Sequence, residues 1–243
     1  MAERRVIVIG AGAAGLIAAG EAARQGAKVT LLERMKRPGR KLSITGAGRC
    51  NLTNQDPVED FISKFGRNGK FLRQAFDRFF TDDLVEFLMS LGVPTTVEQG
   101  GRIFPTSGKA MDVVDVLTRF AAKEGVVTRT GSRASGLIVE KQRVTGVQTD
   151  EKIPADAVII ATGGLSYPAT GCTGDGYRLA EQVGHTVVPV RPALVPIETA
   201  GDIAPRLQGL SLRNVSATVL VNGKRKAGEF GEMLFTHYGL SGP

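Results

Sequence analysis

Six consecutive residues near the start of the chain, Gly10-Ala11-Gly12-Ala13-Ala14-Gly15, and one acid further on, Glu33, have the types and spacing to hold a phosphorylated nucleotide. Gly10 lets the backbone turn sharply. Gly12 has no Cβ, so a pyrophosphate can approach the main chain. Gly15 lets a following helix pack closely on a sheet. The N-terminus of that helix offers free N–H groups and a partial positive charge to phosphates. Glu33 can accept hydrogen bonds from a ribose diol. An acid there disfavours a 2′-phosphate, so the adenosine expected at this site is unphosphorylated. Ala14 lies inside the same turn. A glycine-rich turn without a ligand is the competing reading, and the flanking elements decide against it.

Those elements are a strand, a helix and a second strand. Val6-Ile7-Val8-Ile9 is wholly apolar and β-branched. Leu16 to Gln25 reads as a helix, and Lys28 to Leu32 as a strand closed by Glu33. This is the strand–turn–helix context that the dinucleotide fingerprint requires. Arg4-Arg5 and the apolar residues to Ala19 imitate a secretory signal, but glycines interrupt the run and it is too short to span a bilayer. A protein that is neither secreted nor membrane-spanning is expected, with a cytoplasmic location.

Other chemistry-bearing residues are few. Cys50 and Cys172 stand far apart in a chain of 243 residues and fit no metal spacing, and His185 and His237 add no cluster, so no metal site is expected. Free thiols suit a reducing compartment. His237 and Tyr238, in FTHYGLSG, are the best proton donors by type, with Cys50 a weaker one. A structural, hydrogen-bonded histidine is an equally good reading of His237. The net charge of +7 raises nucleic acid as a partner. Aromatic residues are not read as interleaved with the basic ones, and no nucleic-acid motif is visible. No nucleic acid is therefore expected, with an RNA-modifying enzyme kept as an alternative. Part of the charge gathers at Arg34, Lys36, Arg37, Arg40, Lys41 and Arg49, where it would suit a polyanionic cofactor.

Along the chain, Pro38 to Asn54 has no helical or strand period, and its small residues suggest a loop wrapped around a ligand. Phe61 to Leu91 reads as helical, with Thr81 as an N-cap. Val97 to Phe104 suits a hairpin, Lys109 to Lys123 a helix, Val126 to Thr130 a strand, and Leu137 to Thr149 a hairpin. Ala155 to Ile160 reads as a second buried strand, running into Ala161-Thr162-Gly163-Gly164. Asp175 is expected to cap a helix from Gly176. The fold class expected is α/β, a Rossmann-like domain with a β-meander crossover over residues 1–188. From residue 189 the texture becomes β-rich, with Asn222-Gly223 as a hairpin turn. Residues 189–243 read as part of an inserted β-rich substrate domain that stops within a loop.

Several stretches together resemble one family: GAGAAGLIAAG, GRKLSITGAGRCNLTN, GRIFPTSGKA, ATGGLSYPATGCTGDGY, PALVP and GEMLFTHYGLSGP. They are similar to the bacterial NAD(P)/FAD-dependent oxidoreductase flavoproteins, the group that includes aminoacetone oxidase and a bile-acid-ring reductase. The resemblance implies FAD as cofactor. Gly10, Gly12, Ala14 and Gly15 would meet the pyrophosphate, and Glu33 the ribose. Arg40, Lys41 and the turn Gly46, Gly48, Arg49, Cys50 and Asn51 would lie along the diphosphate and flavin. Ala134 would offer its backbone to adenine, and Thr162 and Gly163 would flank the second approach. It also implies a longer protein that returns from the β-rich domain, so a truncated piece is expected. With one glycine fingerprint, hydride would come from the substrate or from transiently docked NAD(P)H, and the substrate would be a small organic molecule. A non-enzymatic FAD-binding or regulatory protein, or an inactive fragment of the family, is the alternative. The oligomeric state is not legible.

Overall fold

The computed structural model describes residues 3–242. The chain divides into two compact units, residues 1–188 and 189–243. The first is built on a four-stranded parallel sheet. Its strand order is Ala157–Ile160, Arg5–Ile9, Lys28–Glu33 and Val127–Thr130.

The period of two along these strands explains the layers on either side. Val8 and Leu31 face one way, onto the helices Ala13–Arg24 and Ala110–Lys123, where they pack with Leu16, Ala19, Val113 and Leu117. Ile7, Ile9 and Leu32 face the other way, onto Leu137, Val147, Ile153 and Leu179. That second layer is an antiparallel meander, Gly136–Glu140, Arg143–Gln148 and Lys152–Pro154, with the helix Asp175–Gln182. Strands covered on both faces need continuous apolar sequence, which VIVI and VTLL supply. Each fully buried leucine here, such as Leu16 or Leu31, contributes about 1.5–3 kcal/mol. The two helices meet where Gly20 leaves room for Phe120: a Cβ at Gly20 would stand 2.2 Å from the Phe120 ring.

Residues 61–91 are less regular than the apolar spacing predicts. The structure has helices at Val58–Lys64, Arg73–Phe76 and Thr81–Ser90, with a 3-10 segment at Gly66–Leu72. Gly66 turns the chain at φ +63. Gly69 then lies flat on the preceding helix, where a Cβ would come within 2.0 Å of the Ile62 carbonyl oxygen. Thr81 is not the cap. Its hydroxyl donates to the Asn54 carbonyl at 3.0 Å, while the Asp83 carboxylate accepts the Phe80 N–H at 2.7 Å.

The second unit contains an antiparallel sheet in the order Ile197–Glu198, Gly239–Ser241, Lys224–Phe235 and Ser211–Val221. Asn222 and Gly223 turn its long hairpin with φ of +50 and +74, the paired positive angles of a type I′ turn. No helix among the described residues is long and apolar enough to cross a membrane.

Candidate nucleotide site

A cleft of about 510 Å³ opens in the first unit, at the carboxyl ends of the parallel strands. Ile9, Leu32, Glu33 and Ile160 bring three strand ends to it, and Ser132, Arg133 and Ala134 come from the loop after the fourth. The three fingerprint glycines divide their work. Gly10 has φ +102, and a Cβ there would lie 2.5 Å from the Ala161 carbonyl oxygen. A Cβ on Gly15 would lie 1.7 Å from the Gly10 carbonyl oxygen, so this glycine sets how closely helix and strand approach. Around Gly12 a Cβ would meet no protein atom within 4 Å. Gly10 and Gly15 hold the turn, and Gly12 leaves space in the cleft. The helix behind it has no side-chain cap, which leaves its first N–H groups for an anion.

Glu33 is almost buried. Its Oε2 accepts the Ala11 N–H and its Oε1 the Met35 N–H, both at 2.8 Å. The carboxylate therefore ties the glycine turn to the end of the second strand. Each oxygen keeps a further acceptor site, enough for a diol.

Beside it lies an ion cluster that the residue pattern does not reveal. Arg133 donates to Asp175 through Nη2 at 2.8 Å and Nε at 3.1 Å, and Arg34 donates from Nη1 at 3.3 Å. The Arg133 guanidinium holds the Asp175 carboxyl below its ordinary range. All three residues line the cleft. Asp175 is the first residue of its helix, with Gly174 in the capping position, so its carboxylate is a tie between loops and not the expected N-cap. Arg133 was signalled only by its place next to Ala134.

Arg40, Lys41, Leu42 and Thr45 line the cleft from the loop after the second strand. The Gly39 N–H donates to the Ala11 carbonyl at 2.8 Å and anchors this loop to the fingerprint. Lys41 Nζ donates to the Ser166 hydroxyl at 2.6 Å and to the Ser166 carbonyl at 3.0 Å, linking two cleft loops. Ala134, Thr162 and Gly163 also line the cleft, with Gly10, Gly12, Ala14 and Glu33.

The remaining site candidates do not line it. Gly15 is spent on packing. Gly46 turns at φ +56, with its Cβ position 2.8 Å from the Asn51 N, so the turn Gly46, Gly48, Arg49, Cys50 and Asn51 folds on itself. Arg49 pairs with Glu98 and sits 4.3 Å from the Phe104 ring centroid. Cys50 is fully buried, and burial pushes its thiol pKa up. His237 and Tyr238 belong to the second unit, between the strands Lys224–Phe235 and Gly239–Ser241, with their rings edge to face at 4.8 Å. No group of three or more His, Cys, Asp or Glu able to hold a metal occurs among the described residues.

The family model described as "HI0933-like protein Rossmann domain" matches residues 4–237. A 3-dehydro-bile acid delta(4,6)-reductase of Clostridium scindens is 35% identical over 240 residues, covering 98% of this chain and 58% of the relative. A ribosomal RNA dihydrouridine synthase of Escherichia coli is 33% identical over 237 residues, covering 98% and 58%. The chain thus spans little more than half the length of these curated relatives. Among solved structures, the open conformation of a flavocytochrome c3 fumarate reductase superposes with a TM-score of 0.61 at 24% identity, over 87% of this chain and 47% of that one. The chain belongs to the HI0933-like Rossmann family of FAD-binding flavoproteins, the group that its motifs resemble.

Proposed function

We propose that the cleft holds FAD and that the protein is a reductase of carbon–carbon double bonds conjugated to a carbonyl group. The observation that carries the cofactor assignment is the cleft itself. It joins an open Gly12, an uncapped helix N-terminus and a nearly buried carboxylate with acceptor sites to spare. In this reading the helix N-terminus and Gly12 take the pyrophosphate, Glu33 takes the ribose diol, and the Ala134 backbone takes adenine. Arg40, Lys41, Thr45, Thr162 and Gly163 follow toward the flavin. When bound, FAD supplies hydride transfer, and the protein supplies position and electrostatics. The Lys41–Ser166 link holds two walls of the cleft together, which limits water around the bound group.

The reaction class comes from the relatives. One is named for reducing a bile-acid ring carrying a 3-oxo group, and the other for making dihydrouridine in ribosomal RNA. A 3-oxo-4,6-diene and the uracil C5=C6 bond are both polarised by conjugation to a carbonyl, so hydride adds to the far carbon and a proton to the near one. By side-chain type alone His237 and Tyr238, of the second unit, are the candidate proton donors; neither lines the cleft. The electron donor in this reading is NAD(P)H docking transiently. The test is anaerobic photoreduction of the FAD-loaded protein, followed by addition of a steroid dienone or a uridine-containing oligoribonucleotide. Reoxidation of the flavin with stoichiometric loss of the double bond is expected. Reoxidation by neither acceptor, with oxygen still reacting, would favour the non-enzymatic alternative.

A further inference from the structure

We infer that residues 64–79 form a docking surface for single-stranded RNA. Here the chain departs from the expectation that aromatic and basic residues are separate. Phe65, Phe71 and Phe79 are 52%, 88% and 43% exposed, and Phe71 is almost wholly in solvent. Lys64 precedes them and Arg67, Lys70 and Arg78 stand between them, all exposed, and none forms an ion pair among the described residues. Arg73 is the exception, paired with Glu59.

The segment is held in shape from below. Phe61, Phe76 and Phe80 pack edge to face or tilted, with centroids 5.2–5.6 Å apart. Gly69 lies directly on the Ile62 carbonyl. Exposed apolar rings interleaved with unpaired cations match a ligand of flat bases and phosphates. Base stacking on aromatic rings and phosphate contacts from Lys and Arg are the two terms of single-strand binding. Within residues 64–79 five cations, Lys64, Arg67, Lys70, Arg73 and Arg78, stand against one acid, Asp77, so the segment is net positive between the acids Glu59, Asp60, Asp82 and Asp83. The net charge of +7 suits a polyanion, and the 33% identity to a ribosomal RNA dihydrouridine synthase favours RNA over a lipid surface.

This inference deepens the reductase reading by naming the carrier of the double bond, but RNA binding itself needs no flavin. The test is fluorescence anisotropy of the whole chain with a labelled oligouridylate. Wild-type protein should bind with a steep salt dependence. Phe71→Ala should weaken binding on the order of 10- to 100-fold without loss of folding, because its ring packs on little. Lys70→Gln should lower the salt slope by roughly 0.7, the loss of one phosphate contact. Absence of binding, or equal binding by wild type and both variants, overturns the inference. So does transfer of the same sensitivity to phosphatidylserine vesicles or to self-association in sedimentation. RNA binding without reduction of either acceptor would leave this surface standing and refute the reductase reading. Dienone reduction without RNA binding would do the reverse.

Discussion

Gly12 and Gly15 differ by three positions and do opposite jobs. A Cβ at Gly12, which lines the cleft, would meet no protein atom within 4 Å, so with valine there the apo fold should keep its melting temperature within about 1–2 °C while FAD binding is lost. Valine at Gly15 would collide with the Gly10 carbonyl and should unfold the domain or lower its stability by several kcal/mol. Paired melting curves and flavin-to-protein ratios separate the two effects. Glu33 combines both roles. Glu33→Ala should weaken FAD by on the order of 1–3 kcal/mol and also destabilise the apo protein, because the Ala11 and Met35 N–H groups lose their acceptor. Titration calorimetry and a melt of the cofactor-free protein check the two parts.

At the scale of elements, Asp175 ties the start of its own helix to the loops carrying Arg34 and Arg133. Its folded carboxyl is held below the ordinary range, chiefly by the hydrogen bonds from Arg133. The stability it contributes is therefore full above the unfolded carboxylate pKa, about 4, and is lost as pH falls through the lower folded value. Asp175→Asn should melt earlier than wild type at neutral pH, and the gap should close in acid. Melting curves taken from neutral pH down to about pH 3 test this. This tie was not legible in the sequence, since its partners lie 42 and 141 residues away. The local elements were legible because their causes are local: VIVI, the glycine turn, and Asn222-Gly223. Residues 61–91 misled because apolar spacing there continues through Gly66 and Gly69, and only the contact with Ile62 shows why the helix must break.

For the whole molecule, the fingerprint, Glu33, Ala134 and Thr162-Gly163 are separated by up to about 150 residues, yet they line one cleft because the parallel strands end together. The glycines and Glu33 announced themselves by type and spacing. The turn Gly46–Asn51 was placed at the ligand by resemblance, and its own contacts with Glu98 and Phe104 direct Arg49 elsewhere. The central claim is that the adenosine half of FAD is held by Gly12 and Glu33. The most direct measurement is a parallel calorimetric titration of the flavin-free chain with FAD, FMN and NAD. One FAD per chain should bind, FMN should bind far more weakly for want of the adenosine half, and NAD, which shares that half but lacks the flavin, should compete only weakly. Equal affinity for FMN and FAD would contradict it.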